Sequence, residues 1–180
     1  MTNYRRNFVA GGTFFFTVNL ANRSTSLLTD HIDHLRAAFR YVNARHPFTT
    51  DAIVIMPDHL HAILTLPSED RDFPLRWRLI KTMFSRSVEQ SEPVSQSRKD
   101  KGERGIWQRR FWEHTIKDEI DYTRHVDYIH FNPVKHGCVS LVSAWPHSSF
   151  HRFVRDGILP KDWTGSPKVD VVNFGETTEG

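Results

Sequence analysis

Met56-Pro57-Asp58-His59-Leu60-His61-Ala62-Ile63-Leu64 decides the architecture. Successive side chains of a strand point to opposite faces. Leu60, Ala62, Leu64 and Leu66 therefore share one apolar face, and His59 and His61 share the other. Pro57-Asp58 is a turn signal. The preceding run, Thr50 to Met56, becomes the hairpin partner of His59 to Leu66. The apolar face is expected to lie against helices and the imidazole face to stay open. Two imidazoles side by side form half of a metal site, although an isolated His-x-His also describes surface or satisfied core histidines.

Outward from this hairpin the elements alternate. Phe14 to Val18 reads as a buried strand, announced by Gly11-Gly12. Leu28, Ile32, Leu35, Phe39 and Val42 form a helical stripe over about Thr29 to Arg45, closed by His46-Pro47. Trp77, Ile80, Phe84 and Val88 predict a second helix from Pro74 to Glu89. Ser91 to Gly105 is polar and reads as a mobile loop, and Trp107 to Thr115 as a fourth strand. Asp118 caps a third helix from Glu119 to Phe131, which Asn132-Pro133 is expected to stop. The stretch through Trp145-Pro146 and Ser148-Ser149-Phe150 reads as an irregular wrap. The order strand, helix, strand, strand, helix, strand is the ferredoxin-like split βαβ pattern. The expected fold is α+β, with helices on one sheet face and an added C-terminal catalytic helix. Residues 1–165 form one domain, and 166–180 are expected to be a disordered tail.

Composition sets the outer limits. Of the 180 residues, 38% are hydrophobic and 25% charged, as in ordinary globular chains. The formal charge is +3 and the chain carries 11 histidines, which permits a polyanionic partner without demanding one. Cys138 is the only cysteine, so an internal disulfide is excluded and a reducing compartment fits. The first six residues lack the apolar core of a signal peptide, and no apolar run approaches the ~20 residues of a membrane span. A cytoplasmic, nucleoid-associated protein without membrane contact is expected.

The third helix carries the second candidate group. Tyr122, Val126 and Ile129 fall on its apolar stripe, whereas Tyr128 lies about a third of a turn away, with Asp121, His125 and Asn132. Tyr128 and Asn132 stand four apart and share a face. A half-exposed tyrosine with a satisfied hydroxyl is the alternative reading. His114, His125 and His130 could move protons, but ordinary surface histidine is the preferred reading for each.

Together, His-Leu-His after Met-Pro-Asp and Tyr128-Ile129-His130-Phe131-Asn132-Pro133-Val134-Lys135-His136-Gly137 after Arg109-Arg110-Phe111-Trp112-Glu113-His114 resemble the HUH single-tyrosine transposases. Their REP-associated, IS200-like branch is the best match, and the resemblance runs from Tyr4-Arg5-Arg6 to Ser148-Ser149-Phe150. It implies a divalent metal, Mg²⁺ or Mn²⁺, and single-stranded DNA with hairpins at REP-like repeats as substrate. It implies His59 and His61 as metal ligands, Asn132 as the third, and Tyr128 as nucleophile. Relatives outside this branch often carry glutamine at the position of Asn132. The tyrosine would take a 5′ phosphate and free a 3′ hydroxyl, and the enzyme would act as a monomer or homodimer.

The residue types suit such chemistry. A tyrosine hydroxyl with a pKa near 10 is a weak nucleophile, and a divalent cation would neutralise the phosphate it attacks. Nitrogen and oxygen ligands suit Mg²⁺ or Mn²⁺, and the lack of a nearby cysteine weighs against structural zinc. Arg5, Arg6, Lys81, Arg86, Arg109, Arg110, Lys135 and His136 are candidate phosphate contacts. Trp107, Phe111 and Trp112 interleave with two of these arginines and read either as a stacking platform or as a core edge strand. A rolling-circle initiator would share the histidines and the tyrosine, but the Tyr-x-x-x-Asn-Pro context favours the transposase. A non-catalytic nucleic-acid-binding module would not need His59, His61 and Tyr128 together.

Overall fold

In the computed structural model, which describes residues 6–89, 94–166 and 174–176, four antiparallel strands stand in the order β2-β3-β1-β4. They are β1 (Thr13–Asn19), β2 (Thr49–Ile55), β3 (His59–Thr65) and β4 (Trp112–Thr115). The helices are α1 (Leu27–Asp30), α2 (Ile32–Arg45), α3 (Phe73–Ser87), α4 (Gln96–Lys99), α5 (Glu119–Lys135) and α6 (Phe150–Arg155). This is the expected α+β, split βαβ arrangement.

Strand alternation divides the core in two. Phe14, Phe16 and Val18 of β1 and Leu60, Ala62 and Leu64 of β3 pack with α2 and α3 on one face. Phe15, Val54 and Ile63 pack with Val126, Tyr128 and Ile129 of α5 on the other. Pro74 lies in the first turn of α3, where its missing N–H costs nothing, and Asp72 accepts from the Leu75 amide. Arg76 is fully buried on this helix but fully engaged: it meets Asp70 at 2.7 Å and the carbonyls of His46, Pro47 and Asp72. Those bonds offset its desolvation and pin the turn between α2 and β2.

Several expectations change. The imidazole face is not open: α5 and Phe174–Glu176 cover it, and His59 and His61 are 1% and 0% exposed. The first helix is broken at His31, whose φ of −114° and ψ of 35° leave the α region. The fourth strand is only Trp112–Thr115, and Trp107 makes a lone bridge to Leu20. The polar loop contains α4 and is tied down by arginines, Arg104 donating to the carbonyls of Val88 and Glu89. Residues 90–93 of that loop lie outside the described residues.

Pro133 does not stop α5, which runs on to Lys135. A proline in the last turn forfeits one backbone bond near the helix end, and Gly137 (φ +68°) then closes it, with Cys138 N–H donating to the Pro133 carbonyl. The wrap is more ordered than expected. Val142–Ala144 forms a 3₁₀ turn and Phe150–Arg155 forms α6. The Ile55 and Ser149 amides bond to His147 and Ile53 carbonyls, which covers the edge of β2.

Candidate active site

Register brings the site together. In the antiparallel ladder Asn19 pairs with His59 and Thr17 with His61. Both imidazoles thus stand at one end of the sheet, facing α5. Each is held by its Nδ1. His59 Nδ1 lies 2.8 Å from Asp58, which also takes an ion pair from Arg23, itself 3.0 Å from the Asn19 amide oxygen. Burial alone would raise the Asp58 pKa, but the hydrogen bonds from His59 and Arg23 outweigh it and bring it down to about 2. His61 Nδ1 lies 2.8 Å from the Thr17 hydroxyl. That hydroxyl donates its proton to the Phe174 carbonyl, so it accepts from His61 Nδ1–H. The Nε2 lone pairs of both rings are left to face the site, the usual way in which a neighbouring group orients a metal-binding histidine. Burial lowers both histidine pKa values, that of His61 to about 3, which keeps the rings neutral.

α5 supplies the opposite wall. Tyr128, Asn132 and Lys135 are spaced four and three apart on one helical face. Tyr128 is 1% exposed, its ring edge-on to Phe15, His61 and Phe174. It is therefore not the half-exposed residue of the alternative reading: the part of the polar stripe of α5 that carries His125, Tyr128 and Asn132 is buried too. Lys135 Nζ donates to the Tyr128 hydroxyl oxygen at 3.1 Å and lies 4.6 Å from its ring centre.

Glu176 was not anticipated. Of the tail expected over 166–180, the structure describes Ser166 and Phe174–Glu176, and Glu176 enters the site. The remainder lies outside the described residues. One Glu176 oxygen accepts from the Tyr128 hydroxyl and from Asn132 Nδ2 at 2.6 Å, and lies 3.1 Å from His61 Nε2. The other lies 2.9 Å from Lys135 Nζ and 3.3 Å from His136 Nε2. Burial opposes its charge, but the hydrogen bonds it receives, from His136 and from the Tyr128 hydroxyl, outweigh that and hold its pKa below the ordinary carboxylate range. Burial raises the Tyr128 pKa, and the Glu176 carboxylate pushes it the same way. Gly175 makes the approach possible: a Cβ there would stand 2.6 Å from the Trp112 side chain.

A divalent cation fits these donors. His59 Nε2 and Asn132 Oδ1 are buried and lack a hydrogen-bond partner among the described residues. His59, His136 and Glu176 each offer a ligand atom within 4.8 Å of the others. A neutral imidazole lone pair facing a carboxylate oxygen at 3.1 Å is also an arrangement that a cation relieves.

Other sequence candidates separate. Arg6, Lys81, Arg86 and Arg109 line a groove beside α3 rather than this site. Trp112 packs on the α5 face, 5.7 Å from Phe15, and Trp107 is buried in the α2–α3 core. Arg110 is exposed, and Arg5 lies outside the described residues. Two of the presumed surface histidines are buried. His130 Nε2 meets Ser149 at 2.9 Å, and His125 stacks on His114 with Asp121 between them. That group clamps the start of α5 to β4.

Residues 14–132 match the family described as IS200-like transposase. A protein of Escherichia coli K12 named REP-associated tyrosine transposase is 48% identical over 174 residues, covering 97% of this chain and 95% of its own. This chain belongs to the IS200-like transposases, in their REP-associated tyrosine branch. A Haemophilus influenzae relative is 46% identical over 172 residues, 95% of this chain and 98% of its own length. A solved structure of a REP-associated tyrosine transposase bound to a REP hairpin superposes with a TM-score of 0.87 at 46% identity, with complete coverage of both chains.

Proposed function

We propose that this transposase cleaves and rejoins single-stranded DNA beside REP-like hairpins, with Tyr128 as nucleophile and His59, His61 and Asn132 as ligands of Mg²⁺ or Mn²⁺. One observation carries the reading: five groups, His61, Tyr128, Asn132, Lys135 and His136, converge on the two oxygens of one carboxylate. A carboxylate so held stands in for the two non-bridging oxygens of a scissile phosphate. The seat is built for an anion and places that anion against a tyrosine hydroxyl.

When bound, the cation would neutralise and orient the phosphate as a Lewis acid. The chain's own groups do the rest. Tyr128 Oη forms a bond to phosphorus as the bond to the 3′ oxygen breaks, leaving a 5′-phosphotyrosine and a 3′ hydroxyl. The phenol loses its proton and the 3′ oxygen gains one. Lys135, donating to Oη, stabilises the phenolate both as it attacks and as it leaves in the reverse step. Asn132 Nδ2 and His136 are placed to hold phosphate oxygens. Thr17 and Asp58 keep both imidazoles turned towards the site. Because the phosphotyrosine conserves the bond energy, strands rejoin without ATP.

The test is incubation with labelled single-stranded hairpin DNA from the flanks of its own gene, with Mg²⁺ or Mn²⁺, followed by denaturing electrophoresis. A metal-dependent covalent adduct that Tyr128→Phe abolishes is the expected result. An adduct that persists in Tyr128→Phe overturns the assignment.

A further inference from the structure

Phe174 sits in a slot of aromatic side chains beside Tyr128. Its ring centre lies 4.3 Å from that of His125, 4.7 Å from Tyr128, 5.5 Å from Phe15 and 5.9 Å from Trp112. The Tyr128 ring meets it edge-on, at 88°, whereas His125 is tilted from it by only 32°. The slot also ends a column of rings. Trp112 lies 8° from the plane of His114, His114 lies 14° from that of His125, and Phe174 takes the next place. β4 and α5 fix the column: His114 and Trp112 pair in register with Phe15 and Thr17, and His125 Nδ1 lies 2.7 Å from the Asp121 carbonyl. His125 is 1% exposed but Trp112 and Phe174 are half-buried, so the slot reaches solvent.

The segment filling the slot has the outline of a nucleotide. Glu176, two residues beyond Phe174, puts its carboxylate on the donors that suit a phosphate. Two residues of chain span at most about 7 Å. The ring and the anion are therefore about as close as a base and its adjoining phosphate. Between them the Thr17 hydroxyl donates to the Phe174 carbonyl at 2.5 Å, and Asn19 Nδ2 donates to that of Gly175 at 3.4 Å. The phenyl ring itself offers the slot only a π face and an edge, and every nucleobase has both.

Trp112 is the aromatic residue of its stretch that suits this use. Trp107 and Phe111 pack with the α2–α3 core, while Trp112 packs on the sheet face that carries Tyr128. Tryptophan and histidine rings held on a strand and a helix form the kind of platform on which unpaired bases rest.

We propose that this slot is a nucleobase subsite: the unpaired base of a nucleotide adjoining the scissile phosphate replaces Phe174 and stacks on His125 beside Trp112. The proposal rests on cleavage of single-stranded DNA at Tyr128 and adds what holds the reacting nucleotide. A base seated there fixes its own sugar and phosphate next to the Tyr128 hydroxyl, so that stacking supplies part of the orientation that in-line attack requires. A base still paired in a duplex cannot enter.

The experiment reads binding apart from cleavage, by anisotropy in EDTA. The protein is the full chain with Phe174→Ala, which vacates the slot, compared with the same chain carrying also Trp112→Leu or Trp112→Phe. The probes are a labelled DNA hairpin with an unpaired flank and a set in which a single abasic residue is moved along that flank. At one position, loss of the base should weaken binding by about 5- to 150-fold, the range of one base–aromatic stack. Trp112→Leu, which keeps apolar bulk without the ring system, should shrink that penalty at least ~3-fold, and Trp112→Phe should keep most of it. The position should adjoin the bond that the wild type cuts. A 2-aminopurine placed there should lose fluorescence as it stacks on binding. The proposal is overturned if no position couples to Trp112, if the coupled position does not adjoin the cut, or if the 2-aminopurine stays bright at saturation, the last without reliance on the Leu chain folding. The two readings fail separately: a wild type that forms no adduct sinks the catalytic assignment, while a coupled, quenched position still supports the slot.

Discussion

Lys135 Nζ reaches the hydroxyl oxygen of Tyr128 at 3.1 Å from two turns further along α5. The contact exists because the helix continues through Pro133. Had it ended there, Lys135 would have left the face that carries Tyr128 and Asn132. In the proposed reaction the ammonium donates to the atom on which negative charge develops as the phenol loses its proton. It is thus oriented before reaction and needs no reorganisation.

Lys135→Met should therefore slow single-turnover adduct formation by about 10²-fold, the usual cost of one preorganised donor. Hairpin affinity should fall much less. Lys135→Arg should recover part of the rate, because charge is kept while the geometry of a point donor is lost. A Met variant that cleaves at the wild-type rate would remove Lys135 from the chemistry.

Asp58 holds His59, and Thr17 holds His61, each through Nδ1. Asp58→Ala should weaken Mn²⁺ binding by about 10–100-fold, the usual effect of losing a group that orients a ligand. His61→Ala should abolish Mn²⁺-dependent cleavage and also destabilise the fold by about 1–3 kcal/mol, because the ring is fully buried and stacks on Phe15. Titration calorimetry with Mn²⁺ and thermal melts separate the two effects. Full cleavage by wild type in excess EDTA would exclude a metal.

Local patterns carried much of the fold. The alternation in β3 assigned both of its faces, and the stripes of α2 and α3 found their core. What sequence reading misjudged depended on distance. It left the imidazole face open because nothing local says that α5 packs across it. It put Tyr128 on the polar face of α5 but kept a half-exposed tyrosine as the alternative, because a helix whose polar stripe faces buried imidazoles looks, by phase alone, like one facing water. Glu176 was missed because its segment has few apolar residues. Its order comes from charge and hydrogen bonds to groups far apart in sequence, which no periodicity records. The single available hint was Phe174-Gly175-Glu176, an aromatic and a glycine ahead of an acid.

Glu176 and a scissile phosphate need the same donors. Glu176→Ala should therefore lower the DNA concentration for half-maximal adduct formation, by the factor to which the carboxylate occupies the seat in wild type. A change of about tenfold is expected. Glu176→Gln, which keeps the shape but removes the charge, should lie between. If both variants instead lose Mn²⁺ affinity and activity together, Glu176 is a needed ligand rather than a competitor.

Acid should destabilise the fold above the range in which its carboxylates titrate. Burial lowers the pKa of His125, and that of His130 to about 3. Between that value and the ordinary histidine value near 6.5, the unfolded chain binds protons that the folded chain refuses. Stability from these rings is complete above about pH 6.5 and is lost as pH falls, by up to about 1.4 kcal/mol per pH unit for each ring. Melting temperature should thus drop steadily from pH 7 to pH 5. His130→Asn, which retains a donor for Ser149 but does not titrate there, should flatten the slope. A pH-independent melt over this range would contradict the burial of these rings.

On the proposed reading, the depth of the Tyr128 cluster sets the form of DNA that is cleaved. Tyr128 is 1% exposed, walled by Phe15, His61 and Phe174, with its hydroxyl directed to the carboxylate-filled seat. A duplex is about 20 Å wide and stiff, with a persistence length near 150 bp, so presenting one of its phosphates there would require costly local bending or melting. A single strand can enter one phosphate at a time. Labelled DNA carrying the same cleavage site should therefore form an adduct when that site is unpaired beside a hairpin. It should form at least ~100-fold less when a complementary strand pairs it throughout, because opening even two or three stacked pairs costs several kcal/mol. Equal single-turnover rates on the two forms would mean that the phosphate is attacked somewhere more open than this cluster, and Tyr128 would have to be abandoned as nucleophile.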